Sequence, residues 1–247
     1  MNLTYADGIA AALTTLALEG NAAALKLRLP SGWELTPFEG FDVRERALQG
    51  ATMLVVFHEV YAVRTHNGHP VGLPQVSYIA FASRARNQST GALALIHWCT
   101  YTEDPASVPG KYKDGRLAHI TRQQTFTKEK RGETHVRETF SAVADTGAVE
   151  LSLAYRQGGF VLWMTADEPD LPLVAANDPE IVRWYQEDQV FDVVRSEGLK
   201  VDQTSQVSLV VQGELADVFD RKERIVAVFI RRPYMRQVYV RTVGPGA

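Results

Sequence analysis

Cysteine is nearly absent: Cys99 is the only one in 247 residues. This excludes an internal disulfide framework and any zinc or iron–sulfur centre built on several thiolates. Long apolar runs are missing too, and none approaches the roughly 18 uncharged residues of a membrane-spanning helix. There is no excess of positive charge: 26 lysines and arginines face 29 acidic residues, a net charge of -3, with a pI near 6.1. A general binder of nucleic acid or of membrane surfaces needs the opposite field, so neither is expected as a partner. The sequence contains no G-x-S-x-G, no phosphate loop and no G-x-G-x-x-G. Its glycines are scattered, and no cofactor is expected. Basic residues are also missing from the start of the chain, where none precedes Lys26. The small-residue run Ile9–Leu18 therefore lacks the cationic flank of a secretory signal. It reads as a helix or strand of the mature protein, and the expected location is the cytoplasm.

What is present is a globular composition, 45% hydrophobic and 22% charged, arranged in short runs rich in β-branched and aromatic residues. The candidate strands are Thr52–Val63, Val76–Ser83, Ala92–Tyr101, Leu117–Thr127, Thr134–Val143, Val149–Tyr155 and Phe160–Thr165, followed by Gln206–Val218, Ile225–Ile230 and Gln237–Val243. The short turns Lys130-Arg131-Gly132, Asp145-Thr146-Gly147 and Gln157-Gly158-Gly159 predict antiparallel neighbours. One long helix is predicted from Asp178-Pro179-Glu180, with apolar residues at Ile181, Trp184, Tyr185, Val190, Phe191 and Val194 and a stop at Gly198. Asn21–Arg28 predicts a second, short one. No linker or repeat divides the chain. The expected fold is mostly β (α+β): a single domain over residues 1–247, an antiparallel closed or nearly closed β-barrel with one or two helices.

Several polar features have two readings. In His119–Thr127 one face carries His119, Thr121, Gln123 and Thr125, and the other Ile120, Arg122, Gln124 and Phe126. Such a strand either projects into solvent as a hairpin or lines a polar cavity. His66 and His69, with His58-Glu59 nearby, have the composition of a metal site but surround an Asn-Gly turn, so no metal is expected. Cys99 lies in an apolar run and reads as core. Arg231, Arg232, Arg236 and Arg241 interleave with Tyr234 and Tyr239, a mixture suited to a protected strand edge. With the strand-rich surface, it offers an interface for a homo-oligomer.

Taken in order, part of the chain resembles the acetoacetate decarboxylase family. Asn21–Leu25 leading through Leu29-Pro30-Ser31-Gly32 to Trp33-Glu34-Leu35 is similar to its early helix and strand. Thr52–Val63 resembles its first long strand, with Phe57, His58 and Glu59 near the place of an acidic residue. Gly72-Leu73-Pro74-Gln75-Val76 and the stretch from Tyr101-Thr102-Glu103 to Val108-Pro109-Gly110-Lys111 resemble two further segments. The chain departs from the family pattern at five places, one of them a loop between Glu103 and Pro109 that is one residue longer. Gly110 separates Pro109 from Lys111, and Tyr112 displaces the second lysine to Lys113. Gln75 stands in place of a glutamate, and no arginine matches on the N-terminal strand.

The resemblance implies a lyase that forms a Schiff base between Lys111 and a β-keto acid or related small carbonyl substrate. Lys113 is the adjacent cation that lowers the amine's pKa, and Glu103 orients the loop or moves a proton. Arg116 or Arg122 holds the substrate carboxylate. Gln75, which hydrogen-bonds without charge, orients a carbonyl. Glu59, Tyr101 and His97 complete the expected substrate-binding set; His97, Tyr101 and Glu103 form an acid–base group if they share one strand face. Two other readings stay open: a cyclase, isomerase or hydratase for a polyketide-like ligand on the same barrel without a Schiff base, and a non-enzymatic ligand-binding barrel.

Overall fold

The computed structural model describes residues 4–65, 67–70, 75–105, 115–129, 132–164, 171–186, 189–220 and 223–242. The chain opens with strand β1 (Thr4–Glu19), helix α1 (Ala22–Lys26), β2 (Trp33–Leu35) and helix α2 (Val43–Ala47). Six longer strands follow: β3 (Met53–Thr65), β4 (Val76–Asn87), β5 (Leu93–Thr102), β6 (Gly115–Lys128), β7 (Thr134–Ala144) and β8 (Gly147–Gln157). Then come β9 (Val161–Met164), β10 (Leu173–Ala175), β11 (Asp178–Gln186), β12 (Gln189–Ser196), β13 (Val201–Asp202), β14 (Thr204–Gly213) and β15 (Arg224–Thr242). Among the described residues no helix is long and apolar enough to cross a membrane.

Period-two patterning makes the strands. In β7, Val136, Glu138, Phe140 and Ala142 are buried while Arg137, Thr139 and Val143 are exposed. In β8 Val149, Leu151, Leu153 and Tyr155 repeat the pattern. Short helix α1 forms within the predicted Asn21–Arg28, with Asn21 Oδ1 capping it by accepting from Ala23 N at 3.0 Å and Ala24 N at 3.2 Å. Helix α2 was not foreseen. Asp42 caps it through Glu45 N at 2.8 Å. The fully buried Arg84 of β4 ties it down through Glu45 and the carbonyl of Pro37, with its guanidinium over the Phe38 ring.

The predicted helix after Asp178 is two strands instead. Ile181, Val182, Val190, Val193 and Val194 are β-branched, and β15 supplies backbone partners to both halves: Ile181–Gln186 pair with Thr242–Gln237, and Phe191–Ser196 with Arg231–Ala227. Val193 and Val194 are both buried, so the apolar run has no strand alternation to read. The two short strands expected at Ile225–Ile230 and Gln237–Val243 are one, β15, which pairs with β1 from Arg224 to Val240. Pro233 falls at the register shift opposite Ala11 and Leu13, where a missing N–H is tolerated. The strand is paired on both sides, so the expected exposed edge is corrected, and Arg231 is buried.

All strands belong to one sheet, whose path runs β14-β8-β7-β6-β5-β10-β11-β15-β1-β3-β4-β2. The expectation of a closed or nearly closed barrel holds only in part: the chain is mostly β, but the sheet as a whole does not close and ends on β14 and β2. Two pairings are parallel, β5 with β6 and β5 with β10. The β5–β6 ladder lasts only from Thr100 to Thr102, after which β6, β7, β8 and β14 turn away as a second layer. β4 also pairs with β5, folding the path back on itself. The turn after β8 does not make a hairpin, since β9 pairs with β12. The largest apolar cluster, including Leu16, Phe57, Phe81, Tyr101, Phe140 and Leu151, fills the space between the two layers. The opposite face of β1, β3 and β4 carries a smaller one of Ala11, Val60, Val76, Tyr78 and Ala175. Of the two readings of β6, the solvent hairpin holds for Gln123–Lys128, which are exposed, while Ala118 and Ile120 are core.

Neighbouring strands β8 and β14 approach closely at Gly147, where an added Cβ would lie 2.3 Å from the carbonyl oxygen of Gln212. Gly147→Ala should therefore cost about 1–3 kcal/mol of stability, as overpacking does, read as a lower urea midpoint with an unchanged slope.

Candidate active site

Glu59 of β3 pairs with Ser77 of β4. Ser77 in turn meets Glu103 just past β5: its N–H donates to Glu103 Oε2 at 3.0 Å, and Glu103 N donates to its carbonyl at 3.3 Å. Residues directly opposite on neighbouring strands share a face, so the two carboxylates stand on one side of the sheet, about two strand spacings or 10 Å apart. Gln75 donates to Glu59 Oε1 at 3.1 Å, and the Tyr61 hydroxyl to Oε2 at 3.2 Å. Burial, together with the charge of Glu59, raises the pKa of Tyr61.

Arg122, reaching across from β6, connects this group to the core. Its Nη1 lies 2.6 Å from Glu59 Oε2, while Nε and Nη2 lie 3.1 Å and 3.0 Å from Glu138 Oε1. The Glu138 carboxylate has no exposed surface and also accepts from Thr14 Oγ1 at 3.0 Å and Gln124 Nε2 at 2.8 Å. Just past Glu103, Pro105 lies beside the start of β6: a Cβ on Gly115 would sit 3.6 Å from that of Pro105. Lys111 and Lys113, in the segment between these two residues, lie outside the described residues.

Tyr101 and Arg116 assemble elsewhere, around Glu214. Its Oε1 accepts from the Tyr101 hydroxyl at 3.3 Å and Thr146 Oγ1 at 2.7 Å, and lies 3.3 Å from Arg116 Nε. Burial pushes Tyr101 up to about 12, so it is a neutral donor. The group borders an open cleft of about 400 Å³ lined by Arg28, Trp98, Cys99, Arg116, Asn177 and Glu214. Cys99 is buried core, as read from the sequence.

His97 does not share a face with Tyr101 and Glu103. Phe81 pairs with Cys99 but Ala82 with His97, leaving Trp98 as the extra residue of a β-bulge. The bulge turns His97 to the face of Thr100, whose Oγ1 lies 2.6 Å from its Nε2. Burial lowers its pKa to about 3. That face holds polar residues the sequence did not reveal. Arg231, Leu13, His58, Tyr78 and Thr102 pair in succession across β15, β1, β3, β4 and β5, and all are buried. His58 stacks on Tyr78 with ring centroids 4.3 Å apart. Their only sequence signal was polar residues inside otherwise apolar runs. The histidines read as a metal candidate are not gathered: His58 is in this buried row, His69 is exposed, and His66 lies outside the described residues. Among the described residues the one trio close enough for a metal is Glu129, Glu133 and His135, on an exposed hairpin tip.

No protein-family model and no curated protein matches the chain. Solved structures do. An acetoacetate decarboxylase-like enzyme from Sphingomonas wittichii RW1 superimposes with a TM-score of 0.56 at 10% identity, covering 95% of this chain and 91% of that one. The fold is acetoacetate decarboxylase-like. The enduracididine biosynthesis enzyme MppR complexed with pyruvate shares that fold, with a TM-score of 0.54, 12% identity and coverage of 97% and 90%. So does acetoacetate decarboxylase from Legionella pneumophila, at 0.50, 11%, 99% and 90%. On the acetoacetate decarboxylase-like fold, the segments that carried the resemblance fall on α1 and β2, on β3, and on the end of β5. Gly72–Pro74 and Val108–Lys111 lie outside the described residues.

Two outcomes follow from the buried polar groups. Glu138→Ala should cost about 3 kcal/mol in urea unfolding because it strands Arg122, whereas Glu59→Ala, at the exposed end, should cost under about 1 kcal/mol. His97 refuses in the folded state a proton that the unfolded chain accepts below its ordinary value of 6.5. Its contribution is complete above that pH and is lost as pH falls toward about 3, by up to roughly 1.4 kcal/mol per pH unit. His97→Gln should flatten the fall in thermal midpoint between those limits.

Proposed function

We propose that this chain is a lyase-type enzyme acting on a β-keto acid or related small carbonyl compound, with its site at Glu59, Gln75, Glu103 and Arg122. The observation that carries this reading is the gathering of Glu59, Gln75 and Ser77-bound Glu103 on one face of the sheet, with Arg122 reaching Glu59 from β6. Structures with this fold include a decarboxylase and one complexed with pyruvate, which supports a small oxo acid as the substrate class. We take residues 1–247 as one domain. The pairings β5–β10–β11–β15–β1–β3–β4–β5 include the strands that carry Glu59 and Ser77 and the one that precedes Glu103.

The Lys111 amine attacks the ketone carbon and water leaves, giving an iminium. The electron pair of the breaking carbon–carboxylate bond flows into that cation, carbon dioxide departs, and a proton is returned to carbon before hydrolysis frees the amine. In this reading Glu103, held by the Ser77 amide, moves that proton, and Gln75 orients the carbonyl. On the same reading the carboxylates of Glu59 and Glu103 would favour a protonated amine, and the cation of Lys113 would oppose them. Arg122 already serves two carboxylates, so a substrate carboxylate binds there by replacing Glu59 at Nη1, the exposed end of the pair. This reading gives Tyr101 and His97 no role, since Tyr101 bonds Glu214 and His97 faces Thr100.

The uncharged Gln75 favours a second reading, in which Glu103 and Glu59 perform acid–base chemistry without an imine. Borohydride reduction in the presence of pyruvate or acetoacetate decides between them. The first reading expects a covalent adduct at Lys111 and no turnover by Lys111→Ala; an unlabelled Lys111 with activity surviving that substitution overturns it. Activity lost in Glu103→Gln but retained in Lys111→Met selects the second.

A further inference from the structure

We infer that β14 is the seam of a homodimer, pairing antiparallel with β14 of a second copy of this chain and joining the two outer layers into one continuous sheet. Among the described residues β14 pairs with β8 alone, so its other side presents a row of backbone N–H and C=O groups. The other strands at sheet ends are guarded. β2 has three residues, one of them Glu34, and is followed by Thr36-Pro37. β9 has four and runs on in sequence to Asp167-Glu168-Pro169-Asp170. β13 has two. β14 has ten, Thr204-Ser-Gln-Val-Ser-Leu-Val-Val-Gln-Gly213, with no charge and no proline. Its one irregularity, at Ser205, leaves Gln206–Gly213 in unbroken register.

The apolar layer beneath also continues to this edge. Val149, Leu151 and Leu153 of β8 are buried, while Val207, Leu209 and Val211, their partners on β14, pack on the same cluster but remain half-exposed. A second copy related by a two-fold axis at Leu209 supplies what is missing. Val207 then faces Val211 of the partner and Leu209 faces its own counterpart, so both inner rows join. On the outer side Ser208 faces Val210 of the partner and Gln206 faces Gln212. An uncharged strand of this pattern is complementary to itself, which is the requirement for a closed two-fold contact. The inference is independent of the chemistry proposed above.

Sedimentation and amide exchange of the full chain test it. The natural protein should sediment at about twice 27.4 kDa in the micromolar range, and amide exchange in Gln206–Gly213 should slow as concentration rises. Ser208→Lys with Val210→Lys sets lysines against lysines across the axis and should weaken association roughly tenfold or more. Within the chain Val210 pairs with Glu150, so a lysine there is accommodated. Ser208→Glu with Val210→Glu should do the same, and an equal mixture of the two variants should recover the dimer. A natural chain that stays monomeric, exchange independent of concentration, an undiminished dimer in the lysine variant, or a mixture that stays monomeric each overturns the inference.

Discussion

The Glu138 carboxylate lies between two apolar layers with no exposed surface, a position that a charge can hold only when its partners come to it. Arg122 does so from the neighbouring strand, Thr14 from the facing layer and Gln124 from the same hairpin. These bonds join β1, β6 and β7, so they set how the hairpin lies over the sheet. They also aim the guanidinium: with Nε and Nη2 on Glu138, Nη1 points to Glu59. The placement of the candidate active site and the packing of the layers are thus settled by one buried carboxylate.

The two faces of the sheet carry different polar chemistry. On the face turned toward the second layer the charges are acidic and reach the surface at Glu59 and Glu103. On the other, the residues are His58, His97, Thr100, Thr102 and Arg231, and they are buried. β15 lets both faces exist, because it is paired along each side and leaves neither β1 nor β12 as an edge there. Its arginines and tyrosines, which suggest an exposed boundary in sequence, belong to the middle of the sheet.

Much of this was legible in the residues. Alternation placed β3 to β8 within a few positions, the segment Asn21–Arg28 contained α1, and the ordered segments from Asn21 to Lys111 pointed to the acetoacetate decarboxylase-like fold. Glu59, Gln75 and Arg122 were chosen from sequence and do meet. What failed was non-local. The helix predicted from Asp178 had caps and spacing in its favour, yet β15, far along the chain, offered it hydrogen-bonding partners. Tyr101 and Arg116 found Glu214, which no local pattern connects to them. Glu138 gave no signal at all, because nothing near it in sequence records the layer that covers it.

The one-residue bulge at Trp98 acts on β5 as a change of phase. Upstream of it odd-numbered residues look toward one compartment; downstream they look toward the other. Losing or gaining that single residue would transfer His97 between compartments while leaving every loop length and every neighbouring strand alone. A strand of this kind gives evolution a way to reassign inward-facing chemistry by an insertion rather than by substitution. It also means that an ungapped alignment through β5 would equate residues that face opposite sides of the sheet.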